Sequence, residues 1–428
     1  MESMLDTGNT AWVLTAAAMV LLMIPGLALF YGGMVRSKSV LNMLMMVMSA
    51  AFVVMILWVL FGYSMAFGTD IGGLIGDPVE YLGLESLMAD DPEAGLPAMA
   101  FVAFQAMFAA LTVGLIAGAV ADRTKFGAWL FFGTVWAIIV YFPVAHWVWS
   151  AGGWIFELGV IDFAGGTAVH INAGAAALAL AIVIGRRVGW PKTPMRPHNL
   201  TLVMLGAGLL WFGWFGFNAG SALAANNAAS VVFVNTFAAT AAAALAWLIV
   251  EKVRDGHATT LGAASGIVAG LVAITPACAS VSPVGAIIVG VVAGALCALA
   301  VGWKYKLGYD DSLDVVGVHL VGGLVGTLLI GFLATEVAPT GVNGLLYGGG
   351  AEQLGKQAIG AFAVLFYSLV ITAIIALIIR SVRGFRVSTD DEVLGIDLAV
   401  HAESGYELGD SGGGGHFAGV GQRSLGRE

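Results

Sequence analysis

Two histidines lie in the middle of long apolar segments, in matching local sequence. They are Val169-His170-Ile171, followed by Gly174, and Val318-His319-Leu320, followed by Gly323. An ionisable ring at membrane depth is costly on insertion scales, so it is a functional-site candidate by default. A pair in similar surroundings suggests a duplicated half-protein with one site at its centre, the pattern of a transport pathway. A bare cation in an apolar bore faces a desolvation cost of tens of kcal/mol in an idealised dry medium, which two mostly neutral rings do not repay. A small neutral molecule with a lone pair and N–H donors fits better. If the rings share one hydrogen bond, one shared nitrogen donates and the other accepts. The two remaining nitrogens then differ, one bearing hydrogen and one not, so the pair offers a donor and an acceptor and can relay a proton by switching tautomers.

The elements that carry these rings are membrane helices. Of 428 residues, 59% are hydrophobic and only 11% charged, against about 25% charged in soluble domains. Spans of about 20 predominantly apolar residues fall at 11–31, 41–67, 99–120, 127–148, 162–185, 200–217, 228–250, 261–277, 284–303, 313–334 and 357–380. Eleven spans place the termini on opposite sides. Arg36 and Lys38, Arg123 and Lys125, Arg186, Arg187, Lys192 and Arg196, Lys252 and Arg254, and Lys304 and Lys306 follow spans 1, 3, 5, 7 and 9. Arg380, Arg383 and Arg386 follow at the end of span 11, and only Lys356 lies on the other side. The positive-inside rule therefore predicts an outer N-terminus and a cytoplasmic C-terminus. The first ten residues carry Glu2 and Asp6 and no basic stretch, so span 1 reads as a retained helix. Many of the 60 glycines form small-xxx-small pairs such as Gly262/Gly266/Gly270 and Gly290/Gly294, spacing that lets helix backbones approach closely. The outer loop at 68–98 is acidic, with Asp70, Asp77, Glu80, Glu85, Asp90, Asp91 and Glu93. It reads as a solvated loop, or as a device that raises local cation concentration. Cys278 and Cys297 make neither a disulfide framework nor a metal spacing, so no metal and no cofactor is expected.

Asp162 precedes His170 by eight residues at the outer entry of span 5, and Asp311 precedes His319 by eight at the inner entry of span 10. Each ring thus sits about 12 Å in from its own face. In a hydrocarbon core about 30 Å thick the two rings differ in depth by only about 6 Å. Spans 5 and 10 are five apart and run oppositely. The predicted fold is an all-α membrane protein of eleven transmembrane helices, an inverted repeat of helices 1–5 and 6–10 with helix 11 outside it.

Aromatic residues crowd the outer ends of spans: Phe101, Phe104 and Phe108 in span 3, Trp147 and Trp149 after span 4, and Trp211, Trp214, Phe215 and Phe217 in span 6. An interfacial belt accounts for most such rings; a cage of π faces for a small cation is the functional alternative. At these residues the chain resembles the Amt/Mep/Rh ammonium transporter family, in particular its Amt/Mep branch. The matching stretches are Asp162-Phe-Ala-Gly-Gly-Thr-Ala-Val-His170-Ile-Asn, Gly213-Trp-Phe-Gly-Phe-Asn-Ala-Gly-Ser221 and Asp314-Val-Val-Gly-Val-His319. Pro25-Gly-Leu-Ala-Leu-Phe-Tyr-Gly-Gly33, Ala103-Phe-Gln-Ala-Met-Phe108 and Ala145-His-Trp-Val-Trp149 add to it. The likeness spans about residues 8–406.

The resemblance implies a homotrimer in the cell membrane with one pore per subunit. It implies that Trp149, Phe104, Phe108 and Ser221 recruit ammonium (or its analogue methylammonium) at an outer site. Phe108 and Phe217 would gate the pore below it, His170 and His319 would be the pore pair, and Asp162 would be a supporting carboxylate. Ammonium would lose a proton on entry and cross as ammonia, with or without the proton. The chain would be a transporter in the lipid bilayer rather than an enzyme, with no nucleic-acid partner. Residues 1–383 would form the transport domain and 384–428 a cytoplasmic tail. Gly384-Phe-Arg-Val, Leu394-Gly-Ile-Asp397 and His401 to Tyr406 resemble the family's ordered tail, which packs under neighbouring subunits and helps a PII-type signal protein dock. Residues 409–428 are Gly-rich and read as a disordered linker. His146, close to Trp149 but without a repeat partner, reads as structural. Three other readings compete: a Rh-type gas channel, a haem protein with His170 and His319 as axial ligands, and an ammonium sensor signalling through its tail.

Overall fold

The computed structural model describes residues 5–89 and 95–406. Asp90, Asp91 and Glu93 of the acidic loop and the segment 409–428 lie outside the described residues. Eleven helices are long and apolar enough to cross a membrane: α1 Thr7–Met34, α2 Ser37–Phe67, α3 Ala98–Val120, α4 Phe126–Glu157, α5 Gly166–Ile184, α6 Leu200–Gly220, α7 Asn227–Asp255, α8 Thr260–Ala277, α9 Pro283–Leu307, α10 Val316–Leu333 and α11 Glu352–Val382. The chain is a multi-pass membrane protein. Among the described residues the span count agrees with the sequence reading, while many bounds move by a few residues, three of them for physical reasons. Spans 5 and 10 start several residues late, because Asp162 and Asp311 lie before the helices and cap them. Span 4 runs on past residue 148: its main helix ends at Trp149, and a turn leads into a short helical piece, Trp154–Glu157.

The small-residue pairs do what their spacing suggests. A Cβ on Gly290 or Gly294 would lie 2.2 Å from the Ala239 or Ala243 carbonyl of α7. On α8, a Cβ on Gly270 would lie 2.8 Å from the Thr240 backbone. Helices α8 and α9 therefore clasp α7 at backbone distance, where dispersion and close packing replace the hydrophobic effect that lipid does not supply.

The helix that carries His170 is the most buried of the spans, and the one that carries His319 is mostly buried. Both begin with a widened π-type turn, Gly166–Ile171 and Val316–Leu320. In the first, the His170 amide donates to the Gly165 carbonyl at 3.0 Å. Such bulges recur at functional sites because they aim one side chain out of the regular helical phase. Helices α5 and α10 cross against each other at Gly174, where any side chain would meet the Leu320 backbone at 2.5 Å.

On the face that carries the tail, residues 384–406 pack against their own subunit. Thr124 and Arg386 form an antiparallel bridge. A short helix, α12 Thr389–Leu394, follows. The Asp397 carboxylate accepts from the Leu41 and Asn42 amides at 3.0 and 2.7 Å, capping the start of the α2 helical run from outside it. His401 Nε2 lies 3.0 Å from the Asn42 side-chain oxygen, and His198 bonds the Val35 carbonyl and the Tyr406 hydroxyl at 2.9 Å each. These bonds satisfy helix-end groups that would otherwise face nothing.

Candidate functional site

The sequence candidates come together in one continuous file. Starting from the face opposite the tail, Trp149 meets Phe108 edge-on at 5.9 Å between ring centroids. Phe104 packs on Phe108 at 4.8 Å. Phe108 stacks on Phe217 at 4.1 Å and 23°. Phe217 lies 6.1 Å from His170, and His170 lies 5.3 Å from His319, both roughly parallel. Five side chains from α3, α4, α5, α6 and α10 thus form one line. Phe104, Phe108, Phe217 and His170 are almost wholly buried, whereas Trp149 and Ser221 are partly open. The Phe108–Phe217 stack therefore lies between the partly open Trp149 and Ser221 and the buried His170.

The two imidazoles are joined through Nδ1 atoms 3.2 Å apart. One Nδ1 donates and the other accepts, so the two Nε2 atoms point away from the bond with opposite polarity. His170 Nε2 is buried and has no protein partner. A buried polar nitrogen without a partner is expensive unless a passing molecule or water meets it. The direct contact also rules out the haem reading, because an iron between axial imidazoles needs the rings on opposite sides of it. Among the described residues there is no cluster of His, Cys, Asp and Glu suited to a metal, and both cysteines are free and buried.

Asp162 is built into the start of α5. Its Oδ1 accepts from Gly165 and Gly166 at 2.9 and 2.6 Å, and its Oδ2 from Thr167 and Ala168 at 2.8 and 2.9 Å. Four orphan amides of the first turn are thereby satisfied by one carboxylate. The Asp162 carbonyl accepts from Trp149 Nε1 at 3.0 Å, which fixes the indole against the file. Ser221 ends α6 one turn beyond Phe217, and its hydroxyl donates to the Phe217 carbonyl at 2.8 Å. That leaves its oxygen lone pairs able to accept.

Other aromatics named from the sequence lie elsewhere. Phe101 packs edge-on against Phe67 at 4.9 Å. Trp147 donates to the Leu74 carbonyl and lies 4.6 Å from Tyr367. Phe215 stacks on Phe233 of α7 at 3.9 Å. Trp214, taken from the sequence only as one of a belt, instead stacks on His170 at 5.4 Å and 21°. Its indole donates to the Thr275 hydroxyl at 2.8 Å. The signal was present: Trp214, Phe217 and Ser221 share one helical face at i, i+3 and i+7.

On the tail face the start of α10 lies among charges. Asp311 Oδ2 accepts from the Val316 amide at 2.7 Å, at the start of α10. Lys304 reaches the Asp311 carbonyl at 2.9 Å and Asp314 at 2.5 Å. Asp310 pairs with Arg187 at 2.8 Å. Burial pushes the Asp311 carboxyl up to about 6, against the pull of the Lys304 charge.

Comparison with known proteins points to one family. The model of the Ammonium Transporter Family matches residues 11–406. An ammonium transporter of Mycobacterium tuberculosis is 63% identical, over 94% of this chain and 91% of that one. An ammonium transporter of Aquifex aeolicus is 48% identical, over 95% of each. The crystal structure of Saccharomyces cerevisiae Mep2 superposes with a TM-score of 0.83 at 36% identity, covering 90% of this chain and 88% of that one. A structure described as a sensor Amt protein superposes with a TM-score of 0.85 at 31% identity, covering 92% and 98%.

Proposed function

The chain belongs to the Ammonium Transporter Family, and on that premise we propose that it recruits ammonium at the Trp149 cup, deprotonates it and conducts ammonia past His170 and His319. The family is one of transporters, not enzymes. The observation that carries the mechanism is the single file from Trp149 through the Phe108–Phe217 stack to two hydrogen-bonded imidazoles. Trp149, Phe104 and Phe108 offer π faces to a small cation, and the Ser221 oxygen offers a lone pair. Each π contact contributes about 0.5–2 kcal/mol, enough to enrich ammonium but not to trap it. Phe108 and Phe217 act as the gate. Beyond them the bore is apolar, where the charged form is disfavoured and the neutral amine is not. Asp162 supports the cup by holding the start of α5 and, through its carbonyl, the Trp149 indole.

The N-terminus lies outside and the tail in the cytoplasm of a cell-membrane homotrimer in this reading. Arg36, Arg123, Arg187 and Lys304 all gather on the tail face, as the positive-inside rule requires. Residues 1–383 are the transport domain, and the tail from 384 is the regulatory part and the place where a PII-type protein would dock. The test is ammonium-evoked current on a supported membrane. His170→Ala/His319→Ala is expected to keep the oligomer and change or abolish transport. Full, unaltered transport by that folded double variant would sink the mechanism.

A further inference from the structure

We propose that His146 is a positioning residue for Trp149, acting through a hydrogen bond to Asp70 that ties the loop hairpin to the end of α4. The inference rests on the recruitment role given to Trp149 above. His146 lies three residues before Trp149 on the last turn of the main α4 helix and is fully buried. Its Nδ1 is 2.9 Å from the Ala66 carbonyl, and its Nε2 is 2.8 Å from Asp70 Oδ1. A carbonyl only accepts, and so does an ionised carboxylate. Nδ1 therefore donates to Ala66, and Nε2 is held against the Asp70 carboxylate. The Asp70 carboxyl is held below the usual carboxylate range, first by the His146 bond and then by the Gly73 amide.

The bond has consequences for α4 because the hairpin is fastened at further points. Strands β1 Asp70–Ile71 and β2 Ile75–Gly76 pair antiparallel. The Leu74 carbonyl between them accepts from Trp147 Nε1 at 2.8 Å, and the Gly73 carbonyl accepts from the Trp154 amide at 3.2 Å. The turn after Trp149 is shaped for this closure. A Cβ on Gly152 would lie 2.3 Å from Asp70 Cβ, and one on Gly153 only 2.0 Å from the His146 carbonyl. Residues immediately before and after Trp149 are thus pinned to the hairpin, while the indole itself is held from the other side by the Asp162 carbonyl. Without the Asp70 bond the helix end keeps one restraint fewer, and the π face presented to a cation is less well fixed.

The experiment compares Asp70→Ala with Asp70→Asn in the full-length oligomer. An asparagine amide can donate to a neutral His146, while its oxygen still accepts from Gly73. Asp70→Ala is expected to raise the half-saturating ammonium concentration about threefold to tenfold, the range of a partly lost π contact. The maximal current is expected to change less than that. Hydrogen exchange over residues 146–154 is expected to quicken. Asp70→Asn is expected to return both readouts to near wild type. Unchanged affinity and exchange in Asp70→Ala would overturn the proposal. So would an Asp70→Asn protein with wild-type exchange but the weak affinity of Asp70→Ala, because Asp70 would then act on the cation by charge and not through His146. Should wild type carry no ammonium current, the transport reading alone falls, and the exchange comparison still decides whether the bond ties the helix end.

Discussion

The two ends of the bore are held in opposite ways. At the Trp149 end one carboxylate, Asp162, satisfies four amides at the start of α5, and everything beyond it is aromatic. At the tail end Asp311 caps α10 through Val316, one of its oxygens is buried without a partner, and its surroundings are a lattice of Lys304, Asp314, Arg187 and Asp310. The same eight-residue interval before each histidine has been fitted to two tasks. In the transport reading the aromatic end attracts a cation by its π faces, while its carboxylate is taken up by backbone amides. The charged end is a set of paired ions, Lys304 with Asp314 and Arg187 with Asp310. Of the two carboxylates, Asp162 is the more fully hydrogen-bonded one.

The sharpest way to break this contrast is to delete each cap. Asp162→Ala strands four buried amides and is expected to cost roughly 3 kcal/mol or more. Asp311→Ala is expected to cost only about 1 kcal/mol, since it also removes a poorly satisfied buried oxygen. Thermal unfolding of the purified oligomer ranks the two, and equal or reversed losses would dissolve the distinction. A second test addresses the tail, which closes the charged end from far away in sequence. Truncation from 384 removes the Asp397 cap on α2 and the Arg386–Glu392 pair. It is expected to lower current about fivefold to tenfold, in the range of allosteric couplings. Truncation from 409 is expected to behave like wild type, and the reading fails if the short deletion is the damaging one. The smallest effect is expected at the aromatic end. Trp149→Leu keeps bulk but loses the π face, weakening discrimination of ammonium from potassium about threefold. Tyr305→Leu, at the tail-side pocket shared with Trp190 and Asp314, is expected to leave it unchanged. Equal effects would mean that neither mouth selects.

Much of this was legible from residue types alone. His170 and His319 stood out because imidazole is rare in apolar runs, and their shared interval from an aspartate gave the relation between the halves. The caps themselves were half-read: Asp162 and Asp311 marked span entries, but that each sits outside its helix follows from the π-type turn at 166–171 and its counterpart at 316–320. No apolar periodicity reports such a turn. Trp214 reads as a belt residue by type, yet its spacing to Phe217 and Ser221 puts it on their helical face. The Asp70–His146 pair was not legible at all. The two residues are 76 positions apart, and the acidic loop reads as solvated until a hairpin folds one of its carboxylates onto a buried ring. The tail's contacts are equally remote, since Asp397 caps a helix 355 residues earlier.

The bond between the two Nδ1 atoms holds one proton, and that makes it a memory of one bit. Suppose a proton enters at the Nε2 of the ring that donates the shared hydrogen, and another leaves from the Nε2 of its partner. The shared hydrogen has then moved across, and donor and acceptor have changed places. The entry nitrogen now bears hydrogen and cannot take a second proton from the same side, yet the exit nitrogen is ready to take one back. Repeated proton passage in one direction therefore requires both imidazoles to be rewritten between events, by ring rotation or by an outside donor and acceptor. A neutral amine that slides past without exchanging hydrogens needs no such erasure. On the proposed transport reading, the shared bond sets a different clock for a proton and for a neutral amine.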